Sequence, residues 1–134
     1  TAERGIQTGA HMILGLPGES EEDMVEQAGI ISGLPLHSVK YHQLQIVRDT
    51  VLGKQYQKDP DLVPVLGLPE YVDLVIRVLE HLSPDIYIER LVGEVNPNFL
   101  IAPNWEMRSD QVLHMIEERM EELDTWQARH FGMD

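Results

Sequence analysis

The sequence predicts an α/β fold with parallel strands, on three observations. Short apolar runs alternate with helical periods in the order strand, helix, strand, helix, strand. Parallel strands need such crossovers between them. The first run, Ala10 to Leu16, is continuously apolar apart from His11 and Gly15, as suits a strand covered on both faces. Glycine and proline punctuate the joins, where the chain must turn. In 134 residues three strands cannot close an eight-stranded barrel, which takes about 250 residues. A partial barrel or a small open sheet remains, and in either one ligands gather at the carboxyl ends of the strands.

The elements follow in chain order. Ala2-Glu3-Arg4-Gly5-Ile6 reads as the tail of a helix closed by glycine, then a strand. The body of that helix is absent from the sequence, so the chain is expected to be a fragment. Residues 10–16 form the first strand, stopped by Pro17-Gly18. Ser20 offers a helix N-cap, with Glu21, Glu22 and Asp23 in the first turn, where the helix dipole favours anions. Ser20 and Asp23 stand at capping-box spacing. Met24, Ala28 and Ile31 give that helix a buried stripe, and Gly33 ends it.

Val39 to Val47 reads as the second strand, with Val39 and Tyr41 on one side and Lys40 and His42 on the other; its alternation falters after Gln43. Residues 53–68, with Asp59-Pro60, read as a loop. Pro69 suits the first position of the next helix, whose Tyr71, Val75, Val78 and Leu82 recur at helical spacing. Ser83-Pro84 breaks it, and Ile86-Tyr87-Ile88 opens the third strand. Residues 93–108 read as a structured loop. Ser109 then caps a long helix with an apolar stripe of Leu113, Ile116, Met120 and Leu123 and solvent faces covered by Glu117, Glu118, Glu121 and Glu122.

Composition narrows the function classes. A hydrophobic fraction of 43% allows a real core. No apolar run approaches the roughly 18 residues needed to cross a bilayer, so no membrane is expected and the cytoplasm is the default address. The formal net charge of −13 repels phosphate backbones, so nucleic acid is not an expected partner of this segment alone. There is no cysteine, which excludes a disulfide scaffold, a thiolate zinc site and a cysteine-ligated cluster within the segment.

Candidate chemistry sits at the strand ends. In Gly15-Leu16-Pro17-Gly18-Glu19 the glycines allow close backbone approach to a ligand, and the following helix start offers free N–H groups; the same residues also serve as a plain strand-to-helix turn. His11, Lys40 and His42 would converge on one interior if the register places them together. Glu89, Arg90 and Glu94 surround Val92-Gly93 at the end of the third strand, either as a clamp for a polar substrate or as a solvated ion-pair patch. Trp105 and Trp126 read as packing residues.

HMILGLPGES, VKYHQLQIVRDTVLGKQY, PEYVDLV, ERLVGE, LIAPNW and DTWQ occur here in this order, and the chain thereby resembles YhcC-like radical S-adenosylmethionine (SAM) proteins over nearly its whole length. GLPGE is shared by many radical SAM groups; ERLVGE, LIAPNW and DTWQ together are more restrictive. The resemblance implies the carboxyl-terminal portion of a partial (β/α) barrel with parallel strands, ending in a long helix. It implies a division into barrel, 1–82, and family-specific extension, 83–134. Full-length members would bind SAM and a 4Fe-4S cluster held by three cysteines upstream of Thr1, and would generate a 5′-deoxyadenosyl radical.

Carried over by position, His11, Ile13, Gly15, Gln45 and Val47 would line the cofactor, with Lys40, His42 and Arg90 on the substrate side. No residue here is implied as a metal ligand, and no catalytic residue or substrate is assigned. Three departures stand out. Arg48-Asp49-Thr50 replaces the usual Lys-Gly-Thr, and Leu91-Val92-Gly93-Glu94 replaces Leu-Thr-Gly-Asp. His11 takes the first glycine position of the family's G-x-I-x-G-x-x-E pattern, and Glu19 falls one residue late. The expected partner is the missing amino-terminal half of the same protein; alone, the chain is expected to hold no tightly bound cofactor, to be inactive and to form a homodimer. Two other classes stay open: a protein-interaction domain without enzyme activity, and a metal-independent barrel enzyme using His42 as general base.

Overall fold

A computed structural model describes residues 9–15, 19–62, 65–93, 98–103, 105 and 107–131. The helix tail expected over Ala2–Ile6, the Leu16-Pro17-Gly18 part of the first turn, and Glu94 lie outside the described residues. Along the chain run β1 (Gly9–Leu14), α1 (Glu21–Ser32), β2 (Ser38–Gln43), β3 (Ile46–Val47), α2 (Val51–Lys58), α3 (Leu68–Glu80), β4 (Tyr87–Arg90), β5 (Leu100–Ala102) and α4 (Ser109–Leu123). The fold is mixed α/β. Strands β1, β2 and β4 form a parallel sheet in that order, with α1 and then α3 in the crossovers, as parallel pairing requires.

Local chemistry fixes the ends of α1. Ser20 Oγ accepts from the Asp23 N–H at 3.1 Å and Asp23 Oδ2 accepts from the Ser20 N–H at 3.0 Å, a complete capping box. Met24, Ala28 and Ile31 are its buried positions. Helix α3 begins at Leu68 with Gly67 as its cap, one residue earlier than Pro69 suggested. It is the centre of the core: Tyr71, Val72, Leu74, Val75, Ile76, Val78 and Leu79 are all buried. They meet Leu14, Val39 and Tyr41 from the sheet and Val112 and Ile116 from α4 in one cluster.

Five expectations are corrected. The second strand does not run to Val47: it stops at Gln43, and Ile46–Val47 pairs antiparallel with β5 in a separate two-stranded sheet. The loop expected over 53–68 contains most of α2 and a 3-10 turn, Pro60–Leu62. Thr50 caps α2 by accepting the Gly53 N–H at 2.9 Å, while Leu52 and Tyr56 pack on Ile46 and Ala102. The expected loop 93–108 includes β5. Finally, Arg108 rather than Ser109 occupies the N-cap of α4, its N–H bonded to Gln111 Oε1 at 3.0 Å. The buried stripe of α4 is Val112 and Ile116, whereas Leu113 and Leu123 are exposed.

The segment after α4 straps back onto α3. Its backbone donates from Ala128 to the Leu79 carbonyl at 2.9 Å and from His130 to the Glu80 carbonyl at 2.8 Å. Thr125 Oγ1 donates to Glu80 Oε2, and Gln127 Nε2 donates to the carbonyls of Ser83 and Ile86 at 2.8 and 3.0 Å. Carbonyls at and just beyond the end of α3 gain partners this way. This gives the DTWQ residues a structural role. Trp126, expected to pack, is 55% exposed beneath the Arg129 guanidinium.

Candidate functional site

Register decides which side chains meet. Within the parallel sheet His11 lies opposite Lys40, Ile13 opposite His42, and Lys40 opposite Arg90. Paired residues point to the same face, so His11, Ile13, Lys40, His42 and Arg90 share one. The alternate positions Leu14, Val39 and Tyr41 are buried on the other. A register shift beside Val39 and Lys40 makes room for Glu89 as an extra residue on β4. Glu89 Oε2 lies 3.7 Å from Lys40 Nζ. The His11 and His42 rings stand 4.5 Å apart, centroid to centroid. Burial holds the His42 pKa below the usual imidazole range, and the nearby His11 and Arg90 push it the same way, against a hydrogen bond with the Gln43 backbone.

A buried glutamine stands at the carboxyl end of β2, in the alternation of Val39 and Tyr41. Gln43 Oε1 accepts the Gly93 N–H at 3.0 Å and Gln43 Nε2 donates to the Gly93 carbonyl at 3.2 Å, joining β2 to the turn after β4. Gln45 Nε2 reaches the same carbonyl at 3.5 Å. A side chain on Gly93 would put its Cβ 2.8 Å from the Cβ of His42, so glycine lets the His42 ring lie against the backbone. Gln43 had not stood out as a functional residue. Its signal is the polar residue at an inward position of the series Val39, Tyr41, Gln43.

The remaining sequence candidates are placed differently. Gly15 follows β1 with φ +93°, and a Cβ there would lie 3.2 Å from Leu66 Cδ1. The strand end itself therefore demands glycine, whatever ligand approaches it. Gln45 is linked to the polar face through Gly93, but Val47 belongs to the second sheet, its carbonyl accepting from Thr50 Oγ1 at 2.7 Å. Arg90 and Glu89 join the face, whereas the expected third member of their cluster, Glu94, is not described. Among the described residues no group of three or more His, Asp or Glu side chains could hold a metal ion.

Against this geometry, residues 36–122 match the family model described as the radical SAM C-terminal domain. The chain belongs to this family. It is 35% identical over 130 residues to MJ0486 of Methanocaldococcus jannaschii, covering 96% of this chain and 40% of that protein. It is 30% identical over 129 residues to YtqA of Bacillus subtilis, covering 96% and 39%. YhcC of Escherichia coli is 23% identical over 103 residues, covering 77% of this chain and 33% of that protein. The chain thus spans about two fifths or less of the curated relatives it matches. A solved structure of Elp3 from the archaeon Methanocaldococcus infernus, with its first 46 residues deleted, superimposes with a TM-score of 0.78 at 13% identity. The superposition covers 94% of this chain and 29% of that one, a likeness of fold. Among the described residues no helix is long and apolar enough to cross a membrane.

Proposed function

We propose that this chain is the carboxyl-terminal part of a radical SAM enzyme whose polar sheet face lines the interior of a partial (β/α) barrel. The observation that carries this reading is the set His11, Ile13, Lys40, His42 and Arg90, gathered on one face of a parallel sheet in a chain of this family. The barrel would be completed by strands on polypeptide outside this chain, pairing with the outer edge of β1. The greater length of the relatives supports this. A cluster's cysteine ligands would lie there too, since the chain has no cysteine.

The residues present fit a wall beside a cofactor rather than a cluster-ligating loop. Ile13 offers an apolar surface among polar neighbours, suited to a purine face. Gly15, in its positive-φ conformation, keeps the strand end free of a side chain. His11 stands within the same row, and Gln45 is linked to it through the Gly93 carbonyl. Lys40, His42 and Arg90 lie further across the sheet, on the substrate side. Bound SAM and a 4Fe-4S cluster would together supply a 5′-deoxyadenosyl radical for hydrogen abstraction. The protein's part is to hold, orient and shield.

A chimera tests this reading: the matching segment of MJ0486 is replaced by this chain, and iron and sulfide are supplied without oxygen. The chimera should convert SAM to methionine and 5′-deoxyadenosine under a strong reductant. Ile13→Asp should lower SAM affinity about tenfold or more, since a charge would replace apolar contact, while cluster absorbance is retained. A chimera that holds its cluster but binds no SAM would show that this face is not the cofactor wall.

A further inference from the structure

Deepening the reading above, and resting on it, we infer that the polar sheet face binds an oxyanion, the phosphate or carboxylate of the substrate, between Arg90, Lys40 and the His11–His42 pair. The charge distribution points there first. The chain carries a net charge of −13, yet among the described residues this face gathers two permanent cations and two imidazoles beside the carboxylate of Glu89. Elsewhere the arginines of the helices are matched: Arg77 with Glu21 and Glu22, Arg108 with Asp110, and Arg119 with Asp73 and Glu122. Arg90 has no ion pair among the described residues. Glu89 is already shared with Lys40 at 3.7 Å.

Geometry gives the second reason. Arg90 is exposed, its neighbour across the ladder is Lys40, and its charge reaches His42. A planar guanidinium presents two parallel N–H donors, the fork that matches a carboxylate or phosphate edge. Lys40 adds a point charge beside it, and the two rings supply further donors. The His11 ring, tilted 4.5 Å from that of His42, and the Arg90 charge both disfavour a proton on His42. An oxyanion in their midst would relieve that repulsion. Gly93, held by Gln43, lies against His42, which limits the reorganisation that binding requires.

Titration of the chain with inorganic phosphate at constant ionic strength, followed through the imidazole resonances of His11 and His42, tests this. Sodium acetate and sodium chloride run as parallel arms. Saturable shifts with phosphate are expected, weakened about tenfold by Arg90→Gln through loss of one charge-assisted hydrogen bond. Arg108→Gln, a surface control, should leave them unchanged. Saturation by acetate in place of phosphate would assign the carboxylate source and support the inference equally. Shifts that never saturate, or that saturate alike in wild type and Arg90→Gln, would overturn it. The titration needs neither SAM nor a cluster, so a failed chimera and a failed titration are told apart.

Discussion

Gln43 is where residue-scale physics is most demanding. Its amide is buried and spans 50 positions of sequence to satisfy both backbone groups of Gly93. Truncation would strip the Gly93 N–H of its acceptor and leave a cavity at the end of β2. Gln43→Ala should therefore cost about 1–3 kcal/mol for the unsatisfied group, with a further cavity contribution, read as a lower urea midpoint. The same variant should move the His42 titration upward as the ring gains water, since burial is the main cause of its low pKa. An unaltered midpoint and an unaltered titration would mean that the Gly93 turn holds itself. Gly15 makes a related point. Its positive φ and the nearness of Leu66 mean that a bulky substitution there would disturb the strand end before it touched a ligand, so Ile13 is the cleaner probe.

At the scale of the elements, α4 separates two stripes that the sequence offers equally. Leu113, Ile116, Met120 and Leu123 recur at helical spacing, but Val112 lies one position round the helix and shares Ile116 and Met120 with them. Spacing alone cannot say which side faces the core when both contain apolar residues. Packing on α3 decides for Val112, which is buried, and leaves Leu113 exposed. Val112→Ala should cost about 2 kcal/mol, two methyl groups and the cavity they leave. Leu113→Ala should cost less than about 0.5 kcal/mol, as surface substitutions do. Paired denaturation curves check the order, and a reversed order would put the wrong face of α4 on the core. Helix α2 was missed for a different reason: Gly53 lowers helical propensity, and the asset it brings is a contact. A Cβ there would collide with the Val47 carbonyl, and no local pattern announces that. The box at Ser20 and the stripe at Met24, Ala28 and Ile31 were legible because every partner lies within a few turns of the same helix.

On the scale of the whole molecule, the sequence revealed the alternation of strands and helices and the candidate polar row. Parallel order and register, which unite His11, Lys40, His42 and Arg90, depend on long-range pairing that periodicity does not encode. Packing runs across the division expected at residues 82 and 83: β4 pairs with β2, and the core joins Leu14 to Ile116. The sheet leaves one consequence open to measurement. The Leu44 N–H bonds the Leu14 carbonyl, so the even positions of β1 pair with β2 and the odd ones, His11 and Ile13, turn their backbone groups to the other edge. Among the described residues no strand covers that edge. Such an edge recruits another strand, while the net charge of −13 opposes indefinite growth, so a closed dimer is the expected product. Light scattering at micromolar concentration should give twice the mass of one chain. His11→Pro, which removes an outward N–H at a position where edge strands tolerate proline, should return it to monomer. A wild-type monomer, or a dimer indifferent to proline at this position, would mean that the edge of β1 is not the contact.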